Sequence, residues 1–258
     1  MMKRQDPTFR ALENEETGQT LIGGMGELHL EVIKHRLLRD FNLNVRVHKP
    51  RVSYRETVDH AAEVVGECNR QQAGQTLFAR VKIRMEPYPQ GTTPLVLSAA
   101  GESLPEHYLN AVVETLNEAA AGGGSLGCPL MKVKITVLGG EVHETDSNEI
   151  AFRAAASDAF NKALREAGTV LLEPIMKLDI TTPEENLGDF ISDLQQRRAI
   201  ITHTQARGRS TVIEAQAPLA NLFGYSSAMR GMSQGRATCS MEPSAYGPAP
   251  PEVLANFM

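Results

Sequence analysis

His143, Glu144 and Asp146 fall within one short stretch of the segment 139–168, GGEVHETDSNEIAFRAAASDAFNKALREAG. An imidazole beside two carboxylates is material for a metal site or for acid–base chemistry. All three sit in one turn, however, and no second cluster in the sequence completes a coordination shell, so a metal site is set aside. His29 and His35 lie on different faces of a predicted helix and cannot share an ion. Cys68, Cys128 and Cys239 are far apart with no CxxC pair. That is neither a disulfide framework nor a zinc site, and it suits a reducing cytoplasm. The chain has no GxSxG, no cysteine with a plausible histidine partner and no GxGxxG after a strand. Gly23, Gly24 and Gly26 invite a phosphate cradle, but no Lys-Ser/Thr follows and Glu27 puts a carboxylate where the anion would sit. Tight packing at a turn is the better account. Asn161-Lys162-Ala163-Leu164 starts like the guanine-reading NKxD, lacks its Asp and lies inside a helix. With no P-loop either, nothing here hydrolyses a nucleotide by itself. Arg197, Arg198, Arg207 and Arg209, taken alone, read as solvated faces.

The elements that must position the polar turn are legible on both sides of it. Leu130 to Leu138 alternates as a strand and delivers the chain to the turn. Asp146 is the expected N-cap of the next helix, with Glu149 completing a capping box. Phe152, Ala155, Ala156, Ala159, Ala163 and Leu164 form a stripe of mostly small residues, which lets a helix lie close on a sheet. Gly168 ends it. Upstream, Ala62 to Cys68 and Thr76 to Met85 are strands around the polar hairpin that holds Arg70, Gln71 and Gln72. Leu95 to Ala99 is a strand, and a helix follows with Ser103 as its expected cap.

Residues 1–57 read as ββαβ. Strands at Phe9 to Glu13 and Gln19 to Gly23 precede a helix to about Asp40, with Leu28, Val32, Leu38 and Phe41 as its buried side. Strands at Leu43 to Val47 and Val52 to Thr57 follow. The last segment reads as β-α-β-β-α-β: a strand at Ile175 to Thr181, a helix capped by Thr182 with Pro183 at its first position, a hairpin around Ala206 to Arg209, a second helical stretch broken at Gly224 and Gly231, and a strand at Ala237 to Met241. That is the split βαβ, ferredoxin-like order, and 1–57 is the same order with its first strand and helix cut away. The tail from Pro248 carries Val253, Leu254 and Phe257, able to dock on a neighbour.

At 258 residues and a formal net charge of −5, the chain has room for two or three domains and does not coat nucleic acid by bulk electrostatics. The charge is +2 over 1–57, −5 over 58–170 and −2 over 171–258. Trp is absent, so the cores should rest on Val, Ile, Leu, Ala and Met. No apolar run reaches membrane-spanning length and no signal-peptide pattern is present. The opening MMKRQDPTF reads like the middle of something longer.

The motifs GMGELHLEVIKHRLLRDF, KPRVSYRETV, HETDSNEIAF, LLEPIMKLDITTPEENLGD and FGYSSAMRGMSQGRATCSME occur in one order along almost the whole chain. Together they closely resemble the carboxyl-terminal half of the elongation factor G family of GTP-driven ribosomal translocases. The resemblance implies an α+β chain of three small domains. A partial ferredoxin-like domain III over 1–57 and a ferredoxin-like domain V over 171–243 flank a domain IV over 58–170. The middle domain is expected to resemble the second domain of a small-subunit ribosomal protein with a βαβ crossover, and the tail 244–258 to pack back on it.

The resemblance also implies partners. The turn with His143, Glu144 and Asp146 resembles the tip loop that reaches the decoding centre and touches the mRNA–tRNA duplex. Arg70, Gln71 and Gln72 fall in the second tip loop, and Arg197, Arg198, Arg207 and Arg209 on the surface facing large-subunit rRNA. The family's GTPase domain, with its GTP and Mg²⁺, precedes the matched segment, so this chain is expected to be a cofactor-free, monomeric, cytoplasmic fragment with no metal site and no membrane contact. Two departures stand out. The second tip loop of the family is usually a glycine-rich, basic SGGRGQYG hairpin, whereas here it is NRQQAGQT, with one Gly, one Arg and no aromatic. Ala199 stands where the family commonly has Gly. A ribosome-recycling paralogue and a tetracycline-type ribosomal protection protein are the alternatives within the family. A small-molecule enzyme on ferredoxin-like modules is the alternative outside it.

Overall fold

The computed structural model describes residues 9–14, 19–23, 27–43, 45–48, 51–72 and 75–257. The chain forms two compact units, Met1–Ser53 with Glu173–Gly247 and Tyr54–Leu172 with Pro248–Met258. The architecture is mixed α+β, as expected, with sheets of two, four and five strands among the described residues.

The first described elements are an antiparallel strand pair, β1 (Arg10–Asn14) and β2 (Gln19–Gly23), followed by helix α1 (Glu27–Phe41). The turn expected between the strands and the glycines Gly24 and Gly26 lie outside the described residues. Helix α1 buries a different face from the one expected: Ile33 is buried, while Val32, Leu38 and Phe41 are exposed. Leu30, Ile33 and Leu37 share helical spacing and form the less accessible side. The expected Leu28 side chain lies outside the described residues. The expected strand at Leu43 to Val47 is not formed; Leu43, Val45 and Val47 are exposed and find no sheet partner among the described residues.

The second unit opens with β3 (Arg55–Val58). A hairpin of β4 (Ala62–Gln72) and β5 (Gln75–Pro87) follows, then β6 (Leu95–Ser98), helix α2 (Glu106–Gly122), β7 (Val133–Glu141) and helix α3 (Glu149–Ala167). The sheet order is β4-β5-β7-β6, and β6 lies parallel to β7, so α2 is a βαβ crossover. Strict alternation puts Leu77, Ala79, Val81, Ile83 and Met85 of β5 against the helices, with Val133, Ile135 and Val137 of β7 beside them. Apart from Ala79, each such side chain contributes roughly 1.5–3 kcal/mol by leaving water. The alanine stripe brings α3 so close that a Cβ on Gly66 of β4 would overlap the Ala155 carbonyl oxygen and the Ala159 amide.

The side chains of α3 also reach the outer edge of β4. Asp158 accepts from the Glu67 amide at 2.9 Å, and Lys162 donates to the Val65 carbonyl at 3.2 Å. On the face away from the helices the charges are paired. Arg80 lies between Glu67 and Glu141 at 2.9 and 3.0 Å, Lys82 meets Glu63 at 3.1 Å, and Glu86 holds both Arg84 and Lys134.

Glu56 of β3 is fully buried. Its carboxylate accepts from Leu126 and Cys128 amides, the latter at 2.7 Å, and so staples the loop after α2 to β3. A Cβ on Gly124 would collide with that carboxylate. Burial pushes the Glu56 carboxyl above its ordinary range, against the opposing pull of these backbone donors. Ser103, the expected cap of α2, instead donates to the Ala100 carbonyl at 2.6 Å in a single 3-10 turn, and the helix starts after Pro105 without a side-chain cap.

Strand β8 (Thr169–Pro183) pairs through Thr169 to Leu172 with β3. Its later residues belong with α4 (Leu187–Gln196), β9 (Ile200–Arg207), β10 (Ser210–Pro218), α5 (Tyr225–Ser233) and β11 (Thr238–Pro248). The order β11-β8-β10-β9 is that of the ferredoxin-like sheet. Leu178, Ile180, Ile213 and Ala215 pack there on Phe190, Leu194, Tyr225 and Met229. Thr182 is not a helix cap: it is buried in β8 opposite Thr211, and Asn186 precedes α4. Helix α5 runs through Gly231 instead of breaking there. The short helix α6 (Pro251–Leu254) lies in the tail, where Ala249 donates to the Leu171 carbonyl at 2.9 Å and Phe257 meets Tyr54 edge-on.

Candidate nucleic-acid interface

The strand β7 releases the chain at Glu141, and α3 takes it up at Glu149. Between them Asn148, in an extended conformation, caps the helix: its side-chain oxygen accepts from the Ala151 amide at 2.8 Å. The expected cap, Asp146, is occupied otherwise. Its carboxylate lies 3.3 Å from His143 Nδ1 and accepts from the Thr145 hydroxyl at 3.1 Å, while its carbonyl accepts from the Phe78 amide at 2.9 Å. The cap therefore falls two residues later than expected, and Asp146 shapes the turn.

Ser147 fastens that turn to β5. Its Oγ accepts from the His143 amide at 2.8 Å and donates to the Phe78 carbonyl at 2.7 Å. Its own carbonyl accepts from the Tyr108 hydroxyl of α2 at 3.0 Å, and Tyr108 stacks on Phe152 of α3 with ring centroids 4.5 Å apart. His143, 56% exposed at its side chain, stands edge-on to Phe78 with 6.2 Å between centroids. Glu144 and Thr145 are exposed at the crest.

The β4–β5 hairpin ends beside this turn. Asn69 pairs with Phe78, Arg70 with Leu77, Gln71 with Thr76 and Gln72 with Gln75. Arg70 and Gln71 are exposed, while the Gln72 side chain and the hairpin residues Ala73 and Gly74 lie outside the described residues. Two of the sequence-predicted groups, the His143 turn and the Arg70–Gln72 hairpin, are thus brought to one end of one sheet, with Phe78 between them. No group of three or more metal-binding side chains occurs among the described residues.

The four arginines of the other unit separate into two pairs. Arg197 is largely covered. Its Nε donates to Asp193 at 2.7 Å, Nη1 donates to the Asn221 carbonyl at 2.8 Å, and the guanidinium lies 5.1 Å over the Tyr225 ring. Arg198 donates to the buried Glu173 carboxylate at 2.6 Å. It also carries the left-handed backbone after α4, at φ 61°, a conformation that glycine adopts without strain and that is here at Arg198 and not Ala199. Arg207 and Arg209 are exposed on the β9–β10 hairpin, and Arg209 lines an open cleft with Glu184, Glu185 and Arg236. Sequence reasoning missed Ser147, Tyr108 and Phe78. Phe78 alone carried a signal, as the one aromatic among Arg80, Lys82 and Arg84 on the charged face of β5.

Comparison with known proteins gives these features a context. Residues 1–49 match the model of elongation factor G domain III, 50–168 that of domain IV, and 170–257 that of the elongation factor G C-terminus. Elongation factor G of Thermotoga maritima is 43% identical over 260 aligned residues covering 100% of this chain. That of Fervidobacterium nodosum is 44% identical over 255. The chain spans 38% and 37% of the lengths of these two relatives. A crystal structure from Thermus thermophilus superposes with a TM-score of 0.82 at 37% identity, covering 99% of this chain and 38% of that one. Family models thus match all three segments in order, and the chain belongs to the elongation factor G family.

Proposed function

We propose that this chain is the ribosome-engaging part of a translational translocase, and that the end of the Tyr54–Leu172 unit enters the decoding centre against the tRNA–mRNA duplex. The observation that carries the reading is the convergence of the His143 turn and the Arg70–Gln72 hairpin at one end of the segment matching domain IV. Imidazole, amide and hydroxyl groups suit an A-form minor groove, which is read through 2′-OH and phosphate contacts and not by bulk charge. The paired charges along the outer sheet face support this, because they leave little net positive field to hold the unit on RNA. Weak contacts serve a unit that inserts and withdraws. Arg207 and Arg209 are the arginines best placed to meet large-subunit rRNA. In this reading GTP and Mg²⁺ act in a separate domain of the longer protein, and the work is done in the cytoplasm by a monomer.

The test is a chimera in which this chain replaces the matching segment of Thermotoga maritima elongation factor G. His143→Ala is expected to slow tRNA–mRNA movement far more than ribosome-stimulated GTP hydrolysis. Equal loss of both, or loss of neither, overturns the reading. Recycling is the second reading, favoured by the glycine-poor NRQQAGQT hairpin. Subunit splitting by the chimera without any movement activity selects it.

A further inference from the structure

We propose that Ser147 is a positioning residue that presets His143, joining the turn and the β4–β5 hairpin into one preformed RNA-facing surface. This rests on the reading of the turn as an RNA contact. Residues in a short connection between a strand and a helix ordinarily keep considerable freedom, and freezing them on binding costs about 1–2 kcal/mol per residue. Here the freedom is removed before any partner arrives. The Ser147 hydroxyl has one proton to donate and lone pairs to accept with, and it uses both kinds: it receives the His143 N–H and gives its own proton to the Phe78 carbonyl. The Phe78 amide returns a bond to the Asp146 carbonyl, so β5 grips the turn from both sides of one residue. Phe78 is also the residue paired with Asn69, immediately before Arg70. Displacing Ser147 therefore moves His143 relative to Arg70 and Gln71. Tyr108, whose hydroxyl holds the Ser147 carbonyl while its ring stacks on Phe152, sets the position of Ser147 from the core side.

No other hydroxyl residue substitutes for this geometry within the turn. Thr145 has its hydroxyl engaged with His143 Nδ1 and Asp146, at the exposed side of the imidazole. Ser147 thus fixes the backbone of His143, and Thr145 and Asp146 fix its ring. Losing the ring contacts leaves the backbone in place, whereas losing the Ser147 hydroxyl loosens the backbone at His143 while the Phe78–Asp146 and Tyr108–Ser147 bonds still hold the rest of the turn.

The experiment uses the full 258-residue chain. Binding to 70S ribosomes carrying mRNA and tRNA is measured for the parent, Ser147→Ala, Ser147→Thr, Tyr108→Phe, His143→Ala and the Ser147→Ala/His143→Ala double variant, with amide exchange of residues 142–148 and of Phe78 followed in the free chain. Ser147→Ala is expected to speed exchange at the His143 and Phe78 amides and to weaken binding about fivefold, the loss from one hydrogen bond's worth of preorganisation. Ser147→Thr, which keeps the hydroxyl, restores both. Tyr108→Phe gives a smaller loss in the same direction and stands in should Ser147→Ala fold poorly. In the Ser147→Ala background the further effect of His143→Ala shrinks to less than about twofold. Additive effects of the two changes, or unchanged exchange at His143 in Ser147→Ala and Tyr108→Phe, overturn the proposal. Should His143→Ala alone leave ribosome binding unchanged, the reading of the turn as an RNA contact fails instead.

Discussion

Two single residues carry opposite kinds of information. His143 is exposed, and its contacts are with its own turn and the edge of Phe78. Its replacement by Ala is expected to change stability by no more than about 0.5 kcal/mol, as at other open positions. A melting curve, run with and without chelator, checks this; a large loss or a chelator effect would assign His143 to the core or to a metal. Glu56 is fully buried and holds a loop through backbone donors. Its folded-state pKa lies above the ordinary 4.5 because burial outweighs those donors. A raised acid pKa means that the folded chain keeps the proton longer than the unfolded chain. The stability from Glu56 is therefore full below the ordinary value and declines as pH rises through the raised one. Thermal melts of parent and Glu56→Gln should differ most in the parent's favour at acidic pH, with the difference narrowing toward neutrality. The sequence singled out His143 through the resemblance of HETDSNEIAF to the family's tip loop. It did not carry Ser147 or Glu56, because a serine in a turn and a glutamate in a strand are commonplace until their partners, far along the chain, are known.

At the level of elements, periodicity located nearly every strand and helix, and it failed where two faces competed. In α1, Val32, Leu38 and Phe41 look as apolar as Leu30, Ile33 and Leu37, and only packing separates the two sides. The run from Leu43 to Val47 has strand-forming residues but no pairing neighbour among the described residues, and propensity alone does not make a strand. The caps misled for a related reason: Asp146, Ser103 and Thr182 have the right chemistry, but each has a stronger tertiary bond, a local turn of its own or a buried place in a sheet. The fit of α3 on β4 was more legible, because the alanine stripe announced it. Gly66 is its counterpart on the strand, and Gly66→Ala is expected to destabilise the unit by about 3 kcal/mol, the upper range for overpacking, since the obstruction is helix backbone that cannot swing aside. Denaturant unfolding followed by circular dichroism measures this. A loss below about 1 kcal/mol would mean that α3 slides on the sheet.

For the molecule as a whole, the α+β class and the family were readable from motifs spread over the full length. The distribution of basic contacts was not, because four arginines equivalent in sequence have unequal fates in the fold. Arg197 is covered and held by Asp193 and the Asn221 carbonyl, Arg198 is exposed but paired with Glu173, and Arg207 and Arg209 are open. Replacing Arg207 and Arg209 by Ala should lower the slope of log affinity for large ribosomal subunits against log salt by roughly 1.5. Arg197→Ala should leave that slope unchanged and lower the melting temperature instead. Pelleting at a series of salt concentrations, beside melting curves, separates the two pairs.

Among the described residues strand β4 ends its sheet, and an uncovered strand edge is a template on which a second chain can grow. Here Asp158 and Lys162 of α3 occupy the Glu67 amide and the Val65 carbonyl, and they are themselves paired at 2.7 Å. A helix that packs on one face of the sheet also occupies two of the groups on its border. With both residues changed to Ala, the chain should remain folded yet self-associate as its concentration rises, detectable by light scattering and by seeding with preformed aggregates. Self-association of the doubly changed chain would assign this ion pair a part in colloidal solubility, a property that matters most where the chain is concentrated and its neighbours are crowded.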